Sequence, residues 1–424
     1  MISEYCGHCK YSRPALGLAV AASCGWAWHL PIHWLGPLAS LVFLIVMASF
    51  QGQNGFFNRY LLAASYYLVG SFGIVHGTDI FFGTHGALWE GVFLWIGLSA
   101  LLSLGWSFAN RPWKIVAVLL LDAVPPLGLF DWLSPLSGAG LLFPGGGIGG
   151  FLAFLFVVFL CALVIEDYRC PHDYGTIPLI RFLMLLAWMP IVVISNGMWF
   201  FHTSEPPQGW VGANLDVGPE VHSLMQDMAH RKAWIRDARA MGRASHAKVV
   251  LLPEGLSTWW SGTAFEALQS VSKNQIWLVG VSAPLKLGLM ADAIVELHGG
   301  KDNSILPSGA VGKMVFASAF PVPVSMWHPW RKGTGYVQSQ HVGYKAYWWT
   351  PVRKIDGVKA WASICYDQLL PAVWVEGLVQ QPQVILLTNN EWWAKGTGIP
   401  EIQANTAWSW ARLMGVPSVE AENI

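Results

Sequence analysis

Charge is what this chain has least of. Only 12% of its 424 residues are Asp, Glu, Lys or Arg, about half the fraction usual in a soluble protein. Lys+Arg and Asp+Glu each number 25, so the net charge is zero. With a pI near 7.2 there is no basic excess for a phosphate backbone, which argues against a nucleic-acid partner. Cysteine is sparse too, at six, and too scattered for the disulfide framework of a small secreted domain. What the chain does have is apolar bulk: 54% hydrophobic residues and 25 tryptophans.

The shortage of charge is uneven. Seven Lys and Arg fall before residue 202 (Lys10, Arg13, Arg59, Arg111, Lys114, Arg169 and Arg181), and the remaining 18 follow it. The same half holds seven apolar stretches, Pro14–Leu30, Leu35–Phe50, Tyr60–Val75, Leu88–Phe108, Ile115–Phe130, Gly149–Ile165 and Phe182–Phe201. Most approach the roughly 17–25 residues that cross ~30 Å of hydrocarbon. A signal peptide would explain one such stretch and not seven. With a cytoplasmic N-terminus, all seven basic residues lie on one side. The opposite connections, Pro31–Trp34, His76–Ala87 and Asp131–Ile148, contain no Lys or Arg. This positive-inside pattern and an odd number of spans predict a multi-pass protein of a bacterial inner membrane. Residues 1–201 form its transmembrane domain of about seven helices and 202–424 a periplasmic domain.

Two acids fall inside the apolar stretches, Glu90 near the start of the fourth and Asp122 in the fifth. A carboxyl in lipid is costly and often functional. Asp122 lies close to Pro125, and could instead accept from a backbone amide that the proline frees; the two readings stand level.

The topology sorts the cysteines. Cys6, Cys9 and Cys170 are cytoplasmic, Cys24 and Cys161 lie in spans, and Cys365 is alone outside. An unpaired exported thiol is a liability unless buried or used. Cys6 and Cys9 form a C-x-x-C element that could join Cys170 and His172 around zinc. C-x-x-C alone is a weak signal, and cytosolic thiols are ordinarily just reduced, so no metal and no other cofactor is expected.

The second half alternates strand and helix, which argues an α/β layered domain. Strands are predicted at Trp210–Leu215, Lys248–Leu252, Gln275–Val281, Asn303–Leu306, Ala360–Cys365 and Val384–Thr388. Helices are predicted at Pro219–His246, Ala264–Ser272 and Ile402–Met414. Two of these strands end in chemical groups, one running into Pro253-Glu254-Gly255 and the other into Cys365-Tyr366-Asp367. A strand end holds a nucleophile rigidly while the loop ahead admits substrate. A thiol also needs a base at neutral pH, and a carboxylate at an apolar strand end can serve. The bland readings are a small core cysteine and an acid capping the turn at Gly255. No His stands in a recognisable catalytic spacing with Cys365.

The segments LLPEG, ICYDQLLP, LLTNNEWW and ARLMGVPSVEAEN, in this order, resemble the carbon–nitrogen hydrolase (nitrilase) superfamily. With seven preceding spans the chain is similar to its apolipoprotein N-acyltransferase branch over essentially the whole length. The resemblance implies a polytopic α-helical membrane domain followed by an α/β nitrilase-like αββα sandwich, with a Glu-Lys-Cys triad at strand ends. Glu254 matches the general base, Cys365 the nucleophile, and Tyr366 the position whose backbone amide helps to bind the oxyanion. Asp367 stands where the family often has Glu. The family's lysine position is occupied by Ser318. Lys313 is the nearest lysine upstream and the candidate third member, with Arg331 and Lys332 as alternatives in the next loop. Met326 stands where the acyltransferases place a further glutamate. Members of the family usually continue past the motif matched by Glu422-Asn423, so the domain is expected to be C-terminally incomplete.

Three functions follow. One is transfer of a fatty acyl group from a membrane phospholipid to a protein amine, which suits the tryptophans at 327, 330, 348, 349, 392 and 393 near a membrane interface. The second is an amidase or nitrilase acting on a small polar C–N bond, against which an uncharged, Trp-rich site argues. The third is a catalytically reduced membrane component of a conjugation apparatus, partnered by conjugation-machinery proteins, which the missing lysine supports.

Overall fold

The computed structural model describes residues 14–423 apart from 53–54, 83–87, 170–175, 202–203, 219–223, 258–259, 286–288, 301–302, 307–308, 324–325, 328–335, 338–339 and 342. Cys6, Cys9, Cys170, His172, Arg331 and Lys332 lie outside the described residues. Two compact units emerge. The first comprises Met1–Thr203, Leu369–Ala372 and Gly396–Gly415, and the second Ser204–Gln368, Val373–Lys395 and Val416–Ile424.

The first unit is helical. Its helices are α1 (Pro14–Trp26), α2 (Leu35–Ala48), α3 (Phe56–Gly70), α4 (Gly73–Phe82), α5 (Leu88–Ser107), α6 (Pro112–Asp122), α7 (Gly138–Leu142), α8 (Gly147–Arg169), α9 (Ile177–Leu186) and α10 (Met189–Phe201). Every apolar stretch read from the sequence is largely helical, and among the described residues three helices are long and apolar enough to cross a membrane. These are Leu88–Ser107, Gly147–Arg169 and Ile177–Phe201, the last formed by α9 and α10. The stretch Tyr60–Val75 breaks between α3 and α4. The stretch Ile115–Phe130 stops at Asp122 because Pro125 and Pro126 can neither donate to the ladder nor follow a helical residue easily. Arg59 is buried in this unit. Its guanidinium donates to Phe50 O (3.1 Å), Gly52 O (3.0 Å) and Ser107 O (2.9 Å), satisfying carbonyls where α2 and α5 end. A later helix, α14 (Ile399–Met414), also belongs to this unit, where Asn405 donates to Trp28 O (2.9 Å) and Arg412 to Gly140 O (3.1 Å).

The second unit holds two main sheets. The first is built from β1 (Trp210–Gly212), β2 (Val249–Leu251), β3 (Ile276–Pro284), β4 (Leu289–His298) and β5 (Lys313–Ala317), in that order. Strands β1 to β3 run parallel, and β4 and β5 are each antiparallel to their predecessor. A small hairpin, β6 (Tyr336–Val337) and β7 (Gln340–His341), precedes β8 (Gly343–Tyr344), which joins the edge of β4. The second sheet has the order β12-β11-β10-β9, from β9 (Arg353–Ile355), β10 (Val358–Ile364), β11 (Val384–Asn390) and β12 (Ser418–Asn423). Its three later strands are parallel. The helices here are α11 (Leu224–Ala244), α12 (Trp260–Ser270) and α13 (Pro371–Gln380).

Alternation along β3 explains how these pieces stack. Ile276 and Leu278 share a core with Ile294 of β4 and with Ala360, Ala362, Ile364, Val384 and Leu386 of the other sheet. Trp277, Val279 and Val281 point the other way, into a core with Trp234 of α11 and Trp260 of α12. The first sheet is therefore covered on both faces, and its strands read as near-continuous apolar runs for that reason. On β10 the residue between the core alanines, Trp361, lies 5.5 Å from Trp374 of α13. The strand expected at Asn303–Leu306 is only an isolated bridge, Ile305 with Val311.

Candidate active site

The strands that run parallel to β2, including β5, bring their C-terminal ends to one side, and the antiparallel β4 brings its beginning there. At that side β2 delivers Glu254, β10 delivers Cys365, and β11 delivers Asn389 and then Glu391. Strand β4 contributes its beginning, Asp292, and β5 its exit, Ser318, whose amide donates to Asp292 O (2.8 Å).

Cys365 follows β10 directly and adopts φ +45°, a left-handed conformation that a residue with a side chain enters at a cost. The kink takes its thiol out of the strand ladder. Glu254 is 8% exposed and hydrogen-bonds to this thiol. Its backbone is held by a close approach: a Cβ on Gly280 of β3 would lie 2.2 Å from Pro253 O and 2.6 Å from Glu254 Cα. Gly255, at φ +68°, then turns the chain away. Gly280→Ala is expected to cost ~1–3 kcal/mol by overpacking, read as a lowered Tm.

The electrostatics are one-sided. Burial pushes the Cys365 thiol well above its ordinary value, and Glu254, Asp292 and Glu391 push in the same direction. A sulfur in such surroundings rests protonated at neutral pH, and acting as a nucleophile would require a base to take its proton. Glu254 is in position to take it.

Asp367 has a different place. Its carboxylate accepts the amides of Ala319 and Phe320, both at 2.9 Å, and so ties the exit of β5 to the turn that opens with Cys365. Burial raises it to about 6, against the pull of those amides, Ser318 and the Ile364 amide. Tyr366 is buried in the same turn, directly after Cys365. Gln368 braces the far side, donating to Ser363 O (3.1 Å) and Asn389 Oδ1 (2.7 Å), and Asn389 donates in turn to Glu391 Oε1 (3.2 Å).

The structure does not bring Lys313 to this group. It opens β5 at the end away from Ser318, pairs across the sheet with Glu296, and holds its Nζ 3.9 Å from that carboxylate. Five residues of strand, ~16 Å at 3.3 Å each, separate it from Ser318. Ser318 itself is 1% exposed. Asp292 and Glu391 are neighbours that the sequence alone did not point to. Glu391 follows a strand end as Glu254 does, and the same rule would have found it. Asp292 lies in β4, which the polar interruptions Asp292 and Glu296 concealed.

No family model matches the chain. Conjugal transfer protein TraB of Agrobacterium fabrum (strain C58 / ATCC 33970) is 28% identical over 394 residues, covering 85% of this chain and 82% of that protein. The chain resembles TraB. A probable conjugal transfer protein TraB of Sinorhizobium fredii (strain NBRC 101917 / NGR234) is 27% identical, over 86% of this chain and 87% of its own, so the likeness to TraB runs through most of both relatives. Among solved structures, a mutant of the Nesterenkonia AN1 amidase from the nitrilase superfamily aligns with 51% of this chain and 78% of the amidase, at 12% identity and a TM-score of 0.34.

Proposed function

We propose that this chain is a membrane-bound, nitrilase-like protein of conjugal transfer that moves an acyl group from a phospholipid to a protein amine through a thioester on Cys365. The observation that carries the chemistry is the Glu254 carboxyl hydrogen-bonded to a thiol held at a strained strand end. The conjugal setting rests on the likeness to TraB. The nitrilase-like αββα sandwich is supported by two sheets that share one core, with α11 and α12 outside the first and α13 outside the second. Three membrane-length helices and the one-sided basic residues support a multi-pass protein of the inner membrane with residues 202–424 in the periplasm.

In this reading Glu254 takes the Cys365 proton as sulfur bonds to the ester carbonyl carbon. The ester C–O bond then breaks, and the departing lysophospholipid oxygen takes the proton from Glu254. An amine attacks the thioester, the C–N bond forms, and the C–S bond breaks. Its proton returns through Glu254 to sulfur. The resemblance to the nitrilase superfamily gives the Tyr366 amide the role of donor to the developing oxyanion.

A second reading, a catalytically reduced component of the conjugation apparatus, has its own support. Among the described residues the charged groups acting on the thiol are all acidic, and losing one oxyanion donor typically lowers the rate by about 10²–10³. Incubation of the purified chain with phospholipid decides between them by intact mass. A single acyl adduct that disappears in Cys365→Ser is the expected result. No adduct on the wild type, together with unaltered conjugation in Cys365→Ser, would establish the reduced role instead.

A further inference from the structure

Asp122, the acid singled out in the fifth apolar stretch, is fully buried at the end of α6, and so is Asp131 in the connection that follows. Asp131 is the acid whose charge bears on Asp122. The donors nearest the two carboxyls are Trp106 for Asp122 and Ser134, Tyr67 and the Leu133 amide for Asp131, none of them in a well-formed hydrogen bond. Among the described residues no backbone amide acts on Asp122, so it does not satisfy one freed by Pro125. The surroundings are polar but uncharged. Trp106 Nε1 of α5 donates to Tyr67 Oη of α3 (3.2 Å) and lies beside Asp122. With its oxygen accepting from Trp106, the Tyr67 hydroxyl has its own proton to direct toward Asp131. The neighbouring Tyr66 is committed elsewhere: it accepts from Trp28 Nε1 (2.9 Å) and donates to Leu133 O (2.7 Å). Ser134 Oγ, on a residue 3% exposed, lies beside Asp131 without a well-formed bond of its own. Among the described residues, Tyr66 and Tyr67 are the other titratable groups facing the pair, with Cys24 of α1 beside Tyr66. Arg59, the buried cation of this unit, is fully engaged by three carbonyls.

Two carboxyls whose charges act on each other in a low-dielectric interior cannot both stand ionised and unaccompanied. No side-chain cation among the described residues accompanies them. The oxygens that converge, two carboxyls with a phenol and a serine hydroxyl beside them, are the hard ligands that hard cations prefer. We propose that Asp122 and Asp131 together bind one hard monovalent cation, a proton or a sodium ion, inside the helical unit.

The test uses the purified full-length chain in detergent and has two arms. In the first, sodium chloride replaces choline chloride at mildly alkaline pH while Tm is followed. A sodium site raises Tm by about 5 °C at saturating sodium, and the rise is lost in Asp122→Asn and in Asp131→Asn. In the second, infrared spectra are taken in choline chloride. A proton site shows a protonated-carboxyl band in the wild type that is missing from Asp122→Asn or from Asp131→Asn. A positive result in either arm supports the proposal and names the ion. A wild type indifferent to sodium whose spectrum matches those of both variants would overturn it, as would a sodium response that both variants retain.

Discussion

Replacing Glu254 by Gln is expected to move two measurements on the same sulfur in opposite directions. Acyl-adduct formation should fall by about 10²–10⁴-fold, the usual contribution of a positioned general base. Alkylation of Cys365 by iodoacetamide at neutral pH should instead rise about tenfold, the gain in thiolate when a thiol's pKa drops by about one. The opposition follows from the site's charge. Glu254 raises the thiol both by its negative charge and by its hydrogen bond, with burial the larger cause, so an uncharged amide leaves the thiolate easier to form and leaves nothing to remove the proton during attack. Asp292→Asn supplies the control. Asp292 also raises the thiol but has no place in the proton path, so it should speed alkylation without a comparable loss of acylation. If Glu254→Gln lowered both rates together, the carboxylate would be holding the site's shape rather than moving a proton.

Much of this site is legible in the chain because strand ends carry local signals. An apolar run that stops at Pro253-Glu254-Gly255, and another that stops at Cys365-Tyr366-Asp367, mark where two ladders end. What the sequence does not show is which ends share a side of the molecule. That depends on β4 and β5, whose antiparallel return brings Asp292 and Ser318 to the site and carries Lys313 to the far end. Strand β4 was unreadable for a physical reason. Its acids, Asp292 and Glu296, break the apolar pattern because they lie on the inter-sheet side with Ile294, while Ala291, Ala293, Val295 and Leu297 keep to the helix-covered face. The helical unit shows the converse. Hydropathy located its apolar stretches well but not the breaks inside them, such as the one before Pro125. Nor could spacing reveal Asp131 as the neighbour of Asp122, because their meeting depends on a turn.

The second sheet's outer side should make the protein less stable as pH rises, and Glu376→Gln should remove much of that loss. Thr350 is the reason an acid is buried there. Its amide donates to Glu376 Oε2 (3.1 Å), its carbonyl accepts from Trp361 Nε1 and Gln380 Nε2 (3.0 Å each), and its hydroxyl donates to Ala317 O (3.0 Å). Glu376 is pushed up to about 8, chiefly by burial and further by Asp367, with the Thr350 amide pulling the other way. A carboxyl raised in the folded state binds its proton more tightly there than in the unfolded chain. Its stabilising contribution is complete below the unfolded value of 4.5 and is lost as pH climbs through about 8. Asp367, raised to about 6, adds the earlier part of the same decline. Each tenfold tightening of proton binding on folding corresponds to about 1.4 kcal/mol, so the combined loss over the full range is on the order of 8 kcal/mol. Urea midpoints measured from mildly acid to mildly alkaline pH should therefore fall for the wild type. For Glu376→Gln, which keeps an acceptor for the Thr350 amide but has no charge to bury, they should stay nearly level above the Asp367 transition. An equal slope in both proteins would show that the alkaline loss arises elsewhere. The same decline sets a condition on the alkylation experiment. Raising pH to expose the Cys365 thiolate also loosens the layer behind its turn, so the rate differences between variants have to be read near neutrality.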